Sequence, residues 1–281
     1  MKNKNFVIVS NQRTGSTWFI TSLGNCKNVK TDFEVKWSKE LLIGKPSPYH
    51  FFLKNNKFKN IFDKLNSIED NTIYGTKFVF DFYKLFPFED YINFFSKFDD
   101  CKIIHLERDY IDILKSKLVG RVTHILNKEN LEKNRLIDRT ILEKQKHYLS
   151  IQKNSIKNNK EIPFAVSTSY LYNLFINDVL ALSLQKKNNF ININYLEIKN
   201  NLKEISNFLR LQENDLEKNF FRFPVLKKNK IIFEEKFEKI TELHKINDSL
   251  KNKLSFLKKK EFNINDIFKI DPKTKEMKIL I

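Results

Sequence analysis

The first apolar run, Phe6-Val7-Ile8-Val9, is continuous, the pattern of a strand buried on both faces. A polar turn from Asn11 to Ser16 follows it and holds Gly15. Trp18, Phe19, Ile20 and Leu23 then recur at helical spacing, with Gly24-Asn25 as a stop signal. The same alternation returns downstream. Tyr74-Gly75-Thr76-Lys77-Phe78-Val79-Phe80 predicts a strand ahead of a helical segment around Phe88 to Phe98. Lys102-Ile103-Ile104-His105-Leu106 predicts another, feeding a helix with Ile111, Leu114 and Leu118 on one face. Charged sequence from Asn127 to Lys160 reads as one or two long helices, with Leu131, Ile137, Ile141 and Leu142 turned inward. Ser169 to Leu184 is a strongly apolar helix, Phe190 to Tyr195 a strand, and Leu202 to Leu211 a further helix.

Strands alternating with helices specify an α/β protein, with a central, mostly parallel sheet flanked by helices on both faces. From about residue 233 the chain turns lysine-rich and helical. Phe237, Ile240, Leu243, Leu250 and Leu254 give that part an apolar side to pack on the main body. A single domain over residues 1–281 is expected, and no internal repeat is visible.

Composition narrows the class. With 281 residues, 41% of them hydrophobic and 27 of them Phe, the chain can fill a large core, which excludes disorder throughout. Cys26 and Cys101 cannot by themselves frame a disulfide scaffold or a four-ligand zinc site, so a reducing compartment is expected. The first apolar run is too short for a signal-peptide core, and no stretch approaches the roughly 18 apolar residues of a membrane helix. The expectation is a soluble, cytoplasmic protein without a transmembrane segment.

Lys and Arg number 51 against 34 Asp and Glu, a formal charge of +17. Such a surplus invites an RNA- or polyanion-binding reading, with Tyr and Phe as stacking platforms. Only seven of the cations are Arg, however, and Ala occurs only at Ala165 and Ala181. That bias reads as an AT-rich coding composition. A basic surface still concentrates anionic ligands and speeds their capture.

The strongest chemistry lies in the first turn. A strand followed by Gln12-Arg13-Thr14-Gly15-Ser16-Thr17-Trp18 at a helix start aims backbone N–H groups and the helix dipole at one spot. Gly15 lets the backbone approach a ligand, and Ser16 and Thr17 add hydroxyls. In the register of the nucleoside-triphosphate loop, Ser16 stands where lysine reaches the terminal phosphates, which disfavours a nucleotide kinase. Farther on, Arg108 ends a strand and Ser116 follows eight residues later, two turns into a helix. A guanidinium fork and a hydroxyl can meet one phosphate from those positions.

Arg13-Thr14-Gly15-Ser16-Thr17-Trp18 resembles the Lys/Arg-Ser-Gly-Thr-Thr-Trp loop of sulfotransferases that use 3′-phosphoadenosine 5′-phosphosulfate (PAPS). Arg108, Asp112 and Ser116 resemble the same family's Arg-x-Pro-x-Asp-x-x-x-Ser, with Tyr110 in place of Pro, which leaves the turn less rigid. Tyr195, ahead of Leu202, Ile205, Phe208 and Leu209, resembles its Tyr-Glu-Asp-Leu segment, though Glu197 is displaced by one place and Arg210 replaces a Gly. Lys227 and Lys228 stand where many members supply a late basic contact, in a degenerate form. The motifs keep family order from residue 6 to about 211.

The resemblance implies a P-loop-like sulfotransferase fold of the bacterial carbohydrate or glycolipid type. It implies transfer of a sulfuryl group from PAPS to a hydroxyl or amine acceptor, releasing 3′-phosphoadenosine 5′-phosphate (PAP), with no metal required. Thr14, Gly15, Ser16, Thr17 and Trp18 would bind the nucleotide with Arg13, whose charge would also neutralise the departing phosphate oxygen. Arg108 and Ser116 would hold the 3′-phosphate, Tyr195 would lie near the adenine, and Lys228 would add a contact. For the base that takes the acceptor's proton, Glu34 is preferred over His50. Lys77 could approach the acceptor or the sulfuryl oxygens. His105, His124, His147 and His244 have no motif around them and default to surface or satisfied-core roles. The acceptor expected is a sugar or glycolipid, with no specific nucleic-acid partner.

Overall fold

The computed structural model describes residues 5–32, 72–80, 101–126, 160–186, 189–220, 234–270 and 277–280. Its elements in chain order are β1 (Phe6–Asn11), α1 (Ser16–Gly24), β2 (Val29–Asp32), β3 (Ile73–Phe80), β4 (Lys102–Glu107) and α2 (Tyr110–Leu126). Then come α3 (Phe164–Leu182), β5 (Phe190–Asn194), α4 (Leu202–Leu209), α5 (Glu213–Phe220), α6 (Ile240–Lys258), α7 (Ile264–Ile267), β6 (Phe268–Ile270) and β7 (Met277–Ile279). Five strands form a sheet in the order β2-β3-β1-β4-β5, every neighbouring pair parallel. The fold is the α/β architecture that the hydrophobic pattern specifies. A small antiparallel hairpin, β6 with β7, stands apart from this sheet.

β1 is central, and all six of its residues are buried. Its alternate side chains enter two different cores. Val7 and Val9 join α2, α3 and α6 on one face, whereas Phe6 and Ile8 join α1, α4 and α5 on the other. A strand covered on both faces needs apolar residues at every position, which explains the unbroken Phe6–Val9 run.

Strand order positions the site. The helix after β1 packs on one face of the sheet, and the helix after β4 packs on the opposite face. Their connections therefore diverge from neighbouring strands and leave a crevice at the carboxyl ends of β1 and β4, where open α/β sheets bind ligands. The turn at Arg13–Gly15 and the turn at Arg108 both open onto it.

Several element boundaries shift for local reasons. α3 begins at Phe164, five residues before Ser169, because Pro163 precedes it and the Glu238 carboxylate accepts from the Phe164 amide at 2.7 Å. β5 stops at Asn194, whose side chain accepts from the Leu196 amide at 2.9 Å and turns Tyr195–Glu197 into a short 3-10 turn. The lysine-rich C-terminal helix lies on the main body, with Leu243, Leu250, Leu254 and Leu257 in the same core as α2 and α3. The segments expected around Phe88 to Phe98 and across 127–159 lie outside the described residues. Among the described residues, no helix is long and apolar enough to cross a membrane.

Candidate functional site

The loop after β1 is held in an unusual backbone. Arg13 has φ 66° and Gly15 φ 90°, both in the left-handed region that disfavours a β-carbon. Thr14 between them is buried, and its hydroxyl donates to the Asn11 carbonyl at 2.9 Å, tying the loop to the end of β1. α1 starts directly at Ser16, and the Phe19 amide makes the helix bond back to the Gly15 carbonyl at 3.0 Å. No side chain caps this helix start, and its first turn carries no acidic residue. Its N-terminal positive end is thus directed at the crevice and suited to an anion.

Gly15 is required for space as well as for dihedral. A β-carbon there would meet Tyr195 Cε2 at 2.1 Å and Cδ2 at 2.6 Å, because that edge of the tyrosine ring lies against the glycine. Gly15→Ala is accordingly expected to lower the unfolding midpoint by several degrees, through a left-handed alanine costing about 1–2 kcal/mol and a displaced ring. A thermal melt indistinguishable from wild type would contradict this packing. Trp18 supports the same ring from its edge at 6.0 Å between centroids, and itself stands edge-on to Phe220 at 5.2 Å.

The β4 turn converges on the loop. Arg108 Nη1 donates to the Arg13 carbonyl at 3.0 Å, and its guanidinium lies over the Tyr195 ring, 5.0 Å from the centroid. Asp112, one turn on, sits 3.8 Å from Arg108 Nε. The Arg13 side chain crosses to α2 and donates to the Ser116 carbonyl at 3.3 Å. Arg13, Gly15, Arg108, Ser116 and Tyr195 thus form one constellation. Burial lowers the Arg13 pKa below the ordinary arginine value. Tyr170 opposes the shift, and the charge of Arg108 adds to it. Two neighbouring guanidiniums favour an anion between them.

A third cation arrives from β3. Lys77, buried on the α1 side of the sheet beside Ile8, donates from Nζ to Thr17 Oγ1 at 2.6 Å. It adds positive charge at the first turn of α1, where the helix dipole has the same sign.

Behind the loop, on the α3 face, lies a buried polar network that spacing could not reveal. Asn11 donates to Asp178 Oδ1 at 2.7 Å and to the Leu174 carbonyl at 3.1 Å, and accepts from Asn177 at 2.6 Å. His105 Nε2 lies 3.2 Å from the same Asp178 oxygen, and Nδ1 lies 3.5 Å from Glu107. Burial pushes the Asp178 carboxyl above the usual carboxylate range, partly offset by its hydrogen bond with His105. His105 is therefore a buried core histidine, hydrogen-bonded through Nε2 to Asp178, with Nδ1 near Glu107 but beyond a hydrogen bond to it. The network fixes the last residue of β1 and so the origin of the loop.

Glu34, His50, Lys227 and Lys228 lie outside the described residues, as does His147. Of the expected nucleotide residues, Arg13, Thr14, Gly15, Ser16, Thr17, Trp18, Arg108 and Tyr195 fall on the loop, the start of α1 or the turns around the crevice. Ser116 lies two turns into α2, where its carbonyl meets Arg13. Asp112 stands beside Arg108, consistent with a structural part.

No protein-family model and no curated protein sequence matches the chain. Among solved structures, it is similar to the crystal structure of a sulfotransferase from Alicyclobacillus acidocaldarius. The identity is 13%, over 92% of this chain and 96% of that one, with a TM-score of 0.51. The likeness is one of fold.

Proposed function

We propose that this chain is a sulfotransferase that moves a sulfuryl group from PAPS to a hydroxyl or amine acceptor, a carbohydrate or glycolipid in the first instance. The observation that carries this reading is the convergence of the Arg13–Gly15 loop and the Arg108 turn on the ring of Tyr195. The residues present fit such a nucleotide. The glycine loop and the uncapped start of α1 suit its 5′-phosphosulfate, and Arg108 with Ser116 suits the 3′-phosphate. The Tyr195 ring offers an edge to the adenine. PAPS supplies the activated sulfuryl group; Arg13 and Lys77 supply positive charge around it, and a carboxylate or imidazole takes the acceptor's proton. Charge that develops on equatorial and leaving oxygens is stabilised by such fixed cations and N–H donors.

Lys77 also bears on the kinase alternative. In nucleoside-triphosphate loops the hydroxyl at the Thr17 position takes Mg²⁺. Here that hydroxyl accepts from the Lys77 ammonium at 2.6 Å, which places a fixed cation where the metal would go. The arrangement favours a donor whose transferred group carries less charge than a phosphoryl group.

A thermal-shift series with PAP, ATP and an oligonucleotide tests the reading. PAP at about 100 times its dissociation constant is expected to add roughly 2.7 kcal/mol and to stabilise most. A polyanion-binding protein would instead respond most to the oligonucleotide, with affinity falling steeply with salt. Within the series, Arg108→Ala is expected to weaken PAP about 10- to 100-fold and to leave ADP nearly unchanged, since a charge-assisted bond contributes about 1.5–3 kcal/mol. Equal losses for both ligands by calorimetry would remove the 3′-phosphate assignment.

A further inference from the structure

Tyr110 opens α2 where a proline would need no hydrogen-bond partner for its nitrogen. A tyrosine brings an N–H that must be satisfied, and it lacks the fixed φ of proline. The acceptor comes from 137 residues away. Asn247 of α6, 2% exposed, accepts from the Tyr110 amide through Oδ1 at 3.2 Å and donates through Nδ2 to Asp109 Oδ2 at 3.0 Å. Its Nδ2 also reaches Asp248 Oδ1 at 3.3 Å.

Asp109 is itself the cap of α2. Its Oδ1 accepts from the Ile111 amide at 2.9 Å and the Asp112 amide at 3.2 Å, and Lys251 of α6 lies 3.6 Å from its other oxygen. On the opposite flank, Lys258 of α6 donates to Glu107 Oε2 at 2.5 Å. Residues 107, 109 and 110 are thus all gripped by one helix. Only Arg108 between them turns away, to Tyr195 and the Arg13 carbonyl.

We propose that Asn247 is a positioning residue of the nucleotide site, by which the lysine-rich C-terminal helix α6 holds the Glu107–Tyr110 turn and aims the Arg108 guanidinium at its anion. The inference rests on the nucleotide reading above and adds a remote determinant of 3′-phosphate recognition. Preorganisation is the physical basis: a guanidinium on a wandering turn loses conformational freedom on binding, and one on a clamped turn does not.

Exchange of hydrogen-bond roles tests it. Asn247→Asp sets a carboxylate against the Asp109 carboxylate and is expected to reduce the preference for PAP over ADP about 10-fold. It should also expose the Tyr110 and Ile111 amides to hydrogen exchange. In the pair Asp109→Asn with Asn247→Asp, the carboxylate at 247 still accepts from the Tyr110 amide. The new side-chain amide at 109 donates to it and keeps its oxygen on the α2 cap. The pair is expected to restore both amide protection and the PAP preference. The proposal is overturned if Asn247→Asp lowers only the melting temperature with the preference intact, or if the pair regains protection without the preference. If the wild type shows no PAP preference, the nucleotide reading falls by itself; the clamp then stands or falls on whether Asn247→Asp unprotects the Tyr110 amide.

Discussion

Removing the cation on either side of the loop, by Arg13→Ala or by Lys77→Met, is expected to lower sulfuryl turnover about 10²–10³-fold, with a smaller loss of PAP affinity. The two cations reach the loop from different elements. Arg13 rises from the loop itself and is tethered to the Ser116 carbonyl, whereas Lys77 crosses from β3 to the Thr17 hydroxyl. Lys77 is buried, where a fixed charge acts through a lower dielectric than in water, whereas Arg13 is the more exposed of the two. A donor that sheds a sulfuryl group gains negative charge on its leaving oxygen only as the bond breaks. A cation placed there binds the transition state more tightly than the ground state, and its loss falls on kcat. Steady-state kinetics with PAPS separates the outcomes. An unchanged kcat with a raised KM would make that residue a binding group only. Methionine at 77 preserves the length of the buried side chain, so a folded variant is expected, and its melting temperature checks that.

The fold was legible wherever burial on both faces left no choice of residue. β1 and β4 stand out as buried-strand patterns because each is covered above and below. β3 is marked by its aromatic and branched residues around Gly75-Thr76-Lys77, and the parallel order follows from the alternation of strands with helices. β2 escaped notice for the opposite reason. It is a four-residue edge strand, Val-Lys-Thr-Asp, with Val29 in the core, Lys30 exposed and Thr31 half-buried. α5 escaped for a similar one: in Glu-Asn-Asp-Leu-Glu-Lys-Asn-Phe only Leu216 and Phe220 are apolar, one turn apart. A single i, i+4 pair is too little for periodicity to register.

For the site, the sequence reveals those parts that are local. Gly15, the hydroxyls after it and the Arg108 to Ser116 spacing are fixed by one turn or two turns of helix. What positions them is distant along the chain. Asn11 meets Asp178, Tyr110 meets Asn247, and Gly15 meets Tyr195, each pairing joining elements far apart along the chain. Such partners follow no spacing rule, because sheet order and helix packing set them. One signal was available for the Asn247 clamp: a non-proline residue at the first position of a helix must find an acceptor for its amide.

Of the two candidate bases, Glu34 is the one that lies near a described strand in sequence. β2 runs parallel to β3, and its last residue, Asp32, pairs with Thr76, the neighbour of Lys77. Glu34 follows Asp32 by two residues. In sequence Glu34 thus follows directly on the strand that neighbours β3, which carries Lys77. His50 stands 18 residues past Asp32 in sequence. Glu34→Gln keeps shape and removes the proton acceptor. It is expected to cost about 10²–10⁴ in turnover while PAP affinity, read by calorimetry, stays as in wild type. Loss of turnover in His50→Ala with a normal Glu34→Gln would exchange the two roles. Normal turnover in both variants would place the base on another residue or on none, as for an acceptor amine already deprotonated at the assay pH.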